Sequence, residues 1–316
     1  LALGLLGGVA LAVAIVAAGR CERVDDPTLW PAFDAATARP PPDMRATAPR
    51  RERSVFFGDL HVHTSDSLDA YAFGVRARPD DAYAFAKGAA IAHAAGYAVQ
   101  LDRPLDFLAV TDHAELLGVG RANDATELVL ERVPLRRLLL EGTRLEITWR
   151  SFEAVLDLRR GRGQLPPAEI DRIRRAAWKG QVEAAERHDD PGVFTAFVGS
   201  EWTAHEDAAN LHRNLVYGSA RVPDLPVSAA VVVRPRDLWR ELAAQRAAGM
   251  PVIAISHNGN LSDGWMYGEL DADGNPIDAE YAALRSAVEP LAEIFQVKGS
   301  SETHPSLSAA DELAGF

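Results

Sequence analysis

The stretch Val55-Phe56-Phe57-Gly58-Asp59-Leu60-His61-Val62-His63-Thr64 decides how this sequence is interpreted. Apolar residues typical of a buried strand end at a Gly-Asp pair, and two histidines separated by one valine follow. Side chains two positions apart on a strand point to the same face, so His61 and His63 can present two imidazoles to one point. Two such ligands suit a divalent cation such as zinc, manganese or iron. An isolated His-x-His is more often a packing feature, so the interpretation depends on the other motifs.

Several other apolar runs of strand length also end in histidines or carboxylates. Residues 105–110 precede Asp112 and His113, residues 193–199 precede Glu201, residues 252–256 precede His257, and His212 enters a strand over residues 210–217. Apolar strands that alternate with helices predict a parallel sheet covered by helices, in which functional residues gather at the carboxyl ends of the strands. One shared site explains this placement better than separate packing accidents, and its candidate metal ligands are His61, His63, His113, Glu201, His212 and His257.

The pattern also predicts the elements between these motifs. Helices are expected over residues 80–96, 124–140, 168–188, 236–248 and 279–287, and further strands over residues 54–63 and 291–297. His93 falls in the first of these helices and is expected to pack there. The arginine-rich stretch around residues 120–190 is interpreted as a helical insert with solvated charges, and a lid over an anionic substrate is the alternative.

The composition is that of a soluble globular protein with a full core. The chain has 316 residues, of which 47% are hydrophobic and 25% charged, and its net charge is −12. This negative charge argues against nucleic acid as a partner. The single cysteine, Cys21, excludes disulfides within the chain and thiolate-rich zinc sites, so a metal site must use histidine and carboxylate.

Three segments divide the chain. Residues 1–19 are wholly apolar or small and would reach about 28 Å as a helix, which predicts a signal peptide or an N-terminal membrane anchor. Residues 20–53 contain Pro40-Pro41-Pro42 and are interpreted as a Pro-rich linker. The domain over residues 54–316 is therefore expected to be exported, either periplasmic or anchored to the membrane. Because the sequence does not begin with Met, we expect it to be a fragment.

The candidate ligands exceed what one tetrahedral ion needs and suit two or three divalent ions that share bridging groups. Two ions about 3.5–4 Å apart can clamp the attacking and leaving oxygens of a phosphoryl displacement, with a metal-activated water as nucleophile. Asp59 and Asp112 are candidate catalytic carboxylates, and Asp112 is alternatively a ligand or a group that orients a ligating imidazole. Arg213 is a candidate catalytic residue that would clamp an anion.

These motifs resemble the PHP superfamily, named for its polymerase and histidinol phosphatase members. The resemblance lies in Asp59-Leu60-His61-Val62-His63-Thr64, Thr111-Asp112-His113, Gly199-Ser200-Glu201, His212 and Ser256-His257-Asn258. Within that superfamily, the sequence of these motifs is most similar to a bacterial PHP-like family, numbered 3604, that is described only as a domain of unknown function. That family shows stretches similar to residues 210–214 and 257–260, from which we take the candidate substrate-binding residues Arg213, Asn214, Asn258 and Asn260.

The resemblance covers the chain from about residue 54 onward. It implies an α/β fold, a distorted seven-stranded β/α (TIM-like) PHP barrel, with metal ligation by the six candidate ligands and hydrolysis of phosphate esters. PHP enzymes close the site with a late Asp-x-His motif. We expect that motif beyond Phe316, which would leave the barrel incomplete at its C-terminus, and Glu302-Thr303-His304 is the alternative.

The sequence thus predicts a metal-dependent phosphoesterase that acts on a small anionic ester. The alternatives are a hydrolase of another ester, such as a sulfate ester, and a degenerate, non-catalytic binding domain. A carbohydrate-active barrel with paired carboxylates would leave the histidines without a role. The membrane is expected as a partner only through an uncleaved N-terminal segment, and no nucleic acid is expected.

Overall fold

The computed structural model describes residues 55–72, 74–93, 97–126, 166–206, 209–271, 274–296, 299–301 and 306. The predicted N-terminal segment (residues 1–19), the linker, most of the helix over residues 124–140, and Glu302 and His304 lie outside these ranges. Within them, no helix is both long and apolar enough to cross a bilayer.

The strands are short, and those of the main sheet are the apolar runs of the sequence. In chain order they are β1 (Gly58–Val62), β2 (Ile91–Ala92), β3 (Ala98–Val99), β4 (Phe107–Val110), β5 (Thr195–Trp202), β6 (His205–Glu206), β7 (Ala209–Asn210), β8 (Arg213–Tyr217), β9 (Val252–Ser256), β10 (Leu291–Ala292), β11 (Phe295–Gln296) and β12 (Gly299–Ser300).

The helices are α1 (Leu68–Ala72), α2 (Pro79–Ala86), α3 (Val119–Thr126), α4 (Pro167–His188), α5 (Pro235–Ala247) and α6 (Ala279–Val288). Proline stands at the start of α2, α4 and α5, where its missing N–H costs no hydrogen bond. Asp278 caps α6 because its side chain accepts a hydrogen bond from the Tyr281 N–H at 2.7 Å.

The main sheet has six described strands in the order β1-β4-β5-β8-β9-β10. Its pairs are parallel except at β8, which runs antiparallel to both β5 and β9. The prediction of a parallel sheet is therefore wrong at β8. The connection from Trp202 to Arg213 is too short for a parallel crossover and contains the β6–β7 hairpin, which explains the reversal.

The sheet curls, so that its two edge strands approach each other on the inner face. His61 on β1 and Glu293, which follows β10, lie 2.7 Å apart although their strands are at opposite ends of the strand order. The described residues therefore form a mixed α/β fold with a curled, half-barrel sheet. The predicted seven-stranded TIM-like barrel is not confirmed.

The outer face of the sheet carries the main hydrophobic core. Trp202 and Leu215 of the sheet pack with Leu238, Trp239 and Leu242 of α5, and all five side chains are fully buried. Burial of each such leucine contributes about 2–3 kcal/mol. Helix α4 covers β5 with a stripe that contains Ala177, Trp178, Ala184 and Ala185. This packed layer holds the strands in place, and the inner faces of the same strands carry candidate ligands.

One predicted helix is wrong in its extent. The alanine-rich stretch 80–96 forms α2 only as far as Ala86, because Gly88 adopts a φ of 90° and ends the helix. The chain then enters the β2–β3 hairpin. His93 is therefore not in a helix; its ring stacks on Tyr97 with the centroids 4.3 Å apart. The predictions of α4, α5, α6 and β9 are confirmed to within one or two residues at each end.

Candidate metal centre

Glu201 lies at the centre of the cluster of candidate ligands and is 1% exposed. Strand β5 is longer than predicted and extends to Trp202, so Glu201 lies within the strand. It pairs with Asn214 of β8, whereas the next residue, Trp202, pairs with Arg213. Successive side chains of a strand point to opposite faces. Glu201 therefore points to the inner face of the curled sheet, away from the hydrophobic core.

One carboxylate oxygen of Glu201 faces the two histidines of β1. Its Oε2 lies 2.8 Å from His63 Nε2 and 3.4 Å from His61 Nε2. The pairing of β1 with β4, and of β4 with β5, brings these rings over the carboxylate. The two imidazoles have the common target that the His-x-His spacing predicts.

The other oxygen of Glu201 faces three further histidines. Its Oε1 lies 2.8 Å from His212 Nδ1, 3.2 Å from His257 Nε2 and 3.5 Å from His113 Nδ1. His113 follows β4 and forms a parallel bridge with Glu201. His257 follows β9, and His212 precedes β8. Because β8 is antiparallel, its start lies at the edge where β5 and β9 end, and this reversal brings His212 to the site.

Two carboxylates that the sequence analysis did not assign complete the cluster. Asp69 of α1 lies 3.1 Å from His63 Nδ1 and 3.4 Å from His113 Nε2. Glu293 lies 2.7 Å from His61 Nδ1. Glu293 lies within the strand predicted over residues 291–297, but the structure ends β10 at Ala292, so that Glu293 directly follows its strand as His257 follows β9. Asp69 lies in a short helix that the pattern did not predict.

The ligand atoms form three overlapping groups whose members lie within 4.8 Å of one another. His63 is shared by two groups, and Glu201 is also shared by two. Such spacing and this set of nitrogen and oxygen donors could hold metal ions. The three groups are His61–His63–Glu201, His63–Asp69–His113 and Glu201–His212–His257.

The electrostatics of the cluster favour added positive charge. Burial alone would raise the pKa of the Glu201 carboxyl, but the imidazoles of His113, His212 and its other neighbours hold it well below its usual value. Burial lowers the pKa of His61 and His63 in turn, yet the adjacent carboxylates raise both above the usual value. Protons on the imidazoles or a metal cation would each satisfy this demand.

Burial has the opposite outcome at His257, where it lowers the pKa of the imidazole to about 4. Among the described residues, neither its buried Nδ1 nor the buried Oε1 of Glu293 has a hydrogen-bond partner. Buried polar atoms are rarely left unpaired. A cluster with unpaired atoms and a neutral imidazole is consistent with a site that binds a further group.

The two carboxylates predicted as catalytic have different placements. Asp112 is fully buried and accepts hydrogen bonds from the Thr64 N–H at 2.5 Å and the Thr64 hydroxyl at 2.6 Å. Burial raises its pKa to about 6. It therefore fixes the chain directly after His63 and does not hydrogen-bond an imidazole. Asp59 is exposed, and its side chain accepts a hydrogen bond from the His61 N–H at 2.9 Å.

The structure does not bring Arg213 to the cluster. Its side chain lies on the outer face, where Nε donates to Glu289 at 2.9 Å and the guanidinium lies between the rings of Trp202 and Trp239. It is 1% exposed. The physical reason is strand alternation, because Arg213 is adjacent to His212 and must point the other way. The predicted anion clamp is thus a structural ion pair here.

The three predicted substrate-binding asparagines also differ from one another. Asn214 faces inward and donates to the Leu60 carbonyl at 3.2 Å. Asn258 is 2% exposed, and no described residue hydrogen-bonds its Nδ2. Asn260 lies on the exterior and donates to the Ser300 carbonyl at 3.0 Å. Asn258 is therefore the asparagine with an unused donor beside His257.

Comparison with known proteins gives a family but no characterised relative. No curated protein and no solved structure matches this chain significantly. A family model with the description "Protein of unknown function (DUF3604)" matches residues 50–316, which include every residue of the cluster. The chain belongs to this family, DUF3604.

Proposed function

We propose that this protein is a metal-dependent hydrolase that cleaves phosphate esters. The observation that carries the proposal is the position of Glu201, a fully buried carboxylate whose two oxygens face two different sets of histidines. A carboxylate in this arrangement suits a ligand that bridges two cations. Purely structural burial of one carboxylate needs no such number of imidazoles.

The donor spacing fits divalent ions. Two ligand atoms about 2.0 Å from a tetrahedral ion lie about 3.3 Å apart, and the distances from Glu201 to His61 and His257 are 3.4 and 3.2 Å. The distances from Glu201 to His63 and His212 are 2.8 Å, so these two contacts would lengthen around an ion. His61 and His63 would hold one ion with Glu201, and His212 and His257 would hold a second. His113 and Asp69 offer donors for a third. Zinc, manganese and iron all accept this mixture of imidazole and carboxylate.

When bound, such ions would supply Lewis acidity toward an ester oxygen and would lower the pKa of a coordinated water to near neutrality. The residues of the chain would orient and support the site. Glu293 and Asp69 accept hydrogen bonds from His61 and His63, which fixes the ring orientation of both. Asp112 holds Thr64 and the backbone beside His63. Asn258 could donate its free N–H to an oxygen of the substrate.

We further propose that the family is related to the PHP superfamily, with a distorted barrel of which the curled sheet is the described part. The support is that each motif of the resemblance contributes a residue to one cluster. A sheet-edge site of unrelated origin would not require the separate motifs around residues 61, 113, 201, 212 and 257 to converge.

The test is elemental analysis of the purified protein together with assays on 4-nitrophenyl phosphate and 4-nitrophenyl sulfate. We expect two or more transition-metal ions per chain and turnover of the phosphate ester that chelation abolishes and added metal restores. Turnover of the sulfate ester alone would show that the substrates are sulfate esters and not phosphate esters. Metal-independent turnover, or a metal-free protein with no turnover after metal addition, would contradict the proposal.

A further inference from the structure

A second cleft lies beside the candidate metal centre, on the outer side of the sheet. Its volume is about 240 Å³, and Leu211 lies at its wall directly before His212 in the chain. Helix α5 leads through the Gly249 turn into β9, so the first turn of α5 lies at the edge where β9 ends. The cleft therefore opens at the same edge of the sheet as the cluster around Glu201.

The lining of this cleft carries one net positive charge, whereas the chain as a whole carries −12. Its charged residues are three arginines and two aspartates, which are Arg234, Arg236, Arg240, Asp237 and Asp271. Both aspartates already have partners. Asp237 pairs with Arg240 at 3.1 Å, and Asp271 accepts hydrogen bonds from the Asn275 N–H at 2.9 Å and from its side chain.

Among the described residues of this lining, Arg236 has unused hydrogen-bonding capacity. Its nearest carboxylate oxygens are 3.9 Å away on Asp271 and 3.7 Å away on Glu280, beyond hydrogen-bonding distance. Its Nε is buried and has no partner among the described residues. A guanidinium presents five donors in a planar fork that matches an oxyanion. The side chain is 29% exposed, so an anion can reach it from solvent, and a buried Nε without an acceptor is unfavourable. An anion that accepts from Nε would remove this cost.

The rest of the lining is apolar and aromatic. Trp265 is 46% exposed and lies in a 3₁₀ turn after His257, and Leu270 is 52% exposed. Tyr281 lies below the Arg236 guanidinium, which is 5.7 Å from the ring centroid, and packs edge-on against Trp239. An exposed tryptophan and a half-buried arginine in one cleft suit a ligand with a ring and an anionic group.

We propose that this cleft binds a ligand that carries an oxyanion attached to a ring. The phosphate, sulfate or carboxylate group would bind Arg236, and the ring would contact Trp265. In the proposed hydrolase, this ligand would be the part of the substrate that does not react. Identifying the ligand as a substrate rests on the proposed function. Binding in the cleft itself requires no metal and no turnover.

The test is isothermal titration calorimetry with phenyl phosphate, inorganic phosphate and phenol on the purified protein and its variants, in the presence of a chelator so that the ester is neither hydrolysed nor bound by metal. Arg236→Gln should weaken binding of phenyl phosphate about 10-fold to 100-fold, and Arg236→Lys should weaken it less. Trp265→Ala should remove the preference for phenyl phosphate over inorganic phosphate. The matched control is Arg172→Gln, which removes an exposed arginine of α4 and should leave binding unchanged.

The same titration with the His61→Ala/His63→Ala variant separates this inference from the proposed function. Binding to the cleft should survive in that variant if the protein remains folded by circular dichroism. Should it not fold, the comparison of Arg236→Gln with Arg172→Gln in otherwise intact protein decides. Absence of phenyl phosphate binding, or equal binding by wild type and Arg236→Gln, would overturn the cleft assignment whether or not the protein is a hydrolase.

Discussion

Two clusters of buried charge lie on opposite faces of the same two strands. On the inner face of β5 and β8, Glu201 is surrounded by imidazoles. On the outer face, Arg213 pairs with Glu289, which also accepts hydrogen bonds from Arg285 at 2.7 Å and from Trp239 at 2.7 Å. Alternation along the strands separates the clusters, because adjacent residues belong to different faces.

The clusters differ in how many of their polar atoms have a hydrogen-bond partner within the protein. In the outer cluster both oxygens of Glu289 are hydrogen-bonded by arginine or tryptophan, and no external group is needed. In the inner cluster His257 Nδ1 and Glu293 Oε1 find no partner in the part of the chain that the structure describes, and the carboxylates favour more positive charge. A closed ion pair serves folding, whereas an incomplete cluster indicates a binding site.

The largest expected effect is on the inner cluster. His61→Ala combined with His63→Ala removes two imidazoles from Glu201 Oε2. Metal affinity and ester hydrolysis should fall at least 100-fold, because loss of a residue that only supports a ligand already costs up to about 100-fold in metal affinity or activity. Elemental analysis and the 4-nitrophenyl phosphate assay measure both. The matched control is His93→Ala combined with His188→Ala, since both histidines lie outside the cluster. Equal metal loss in the control would remove the distinction.

Glu289→Gln should break the outer cluster and leave the inner one working. It leaves the buried Arg213 without its carboxylate, which should lower the free energy of unfolding by about 3–5 kcal/mol. Urea unfolding followed by circular dichroism gives this value, and elemental analysis of the folded variant should show unchanged metal content. Loss of metal at unchanged stability would mean that the two clusters are not separate in function.

A smaller effect is expected for the carboxylates that orient the histidines. Glu293→Gln weakens the acceptor for His61 Nδ1 and should reduce metal affinity about 10-fold to 100-fold with little change in folding. Competition with a chromophoric chelator measures the affinity. Glu280→Gln, at an exposed position of α6, is the control. If the two variants bind metal equally, Glu293 does not orient His61.

The smallest effect concerns pH and the outer cluster. Burial would raise the pKa of Glu289, but Arg213 and Arg285 hold it below its usual value. Its stabilising contribution is therefore complete above the usual carboxyl pKa and is lost as the pH falls through the lowered one. The stability difference between wild type and Glu289→Gln should shrink in acid urea titrations. A difference that stays constant to low pH would contradict this linkage.

The sequence was informative where function and local pattern coincide. Apolar strands that end in histidine or carboxylate identified His61, His113, Glu201 and His257 before any geometry, and the structure brings them together. The run 252–256 matches β9 because its apolar residues are flanked by a Gly-Met-Pro turn and by His257. Here the local sequence alone determines where the element begins and ends.

The remaining features depend on tertiary structure. Whether β8 runs parallel or antiparallel cannot be read from its own residues, although the short link from Trp202 was a signal. That direction decides which end of β8 lies at the site, and so brings His212 there. Arg213 does not reach the cluster for another reason, because alternation along β8 turns it to the outer face. Asp69 reaches His63 only through the packing of α1. The extent of α2 depended on one positive φ at Gly88, which alanine-rich flanking sequence concealed.

The most direct test of the central claim is a crystal structure of protein grown with zinc or manganese, with anomalous diffraction recorded at the edge of the metal. We expect anomalous peaks on both sides of the Glu201 carboxylate, one beside His61 and His63 and another beside His212 and His257. An ordered Glu201 without an anomalous peak, its oxygens bonded only to the imidazoles, would contradict the metal centre and make the cluster a structural one.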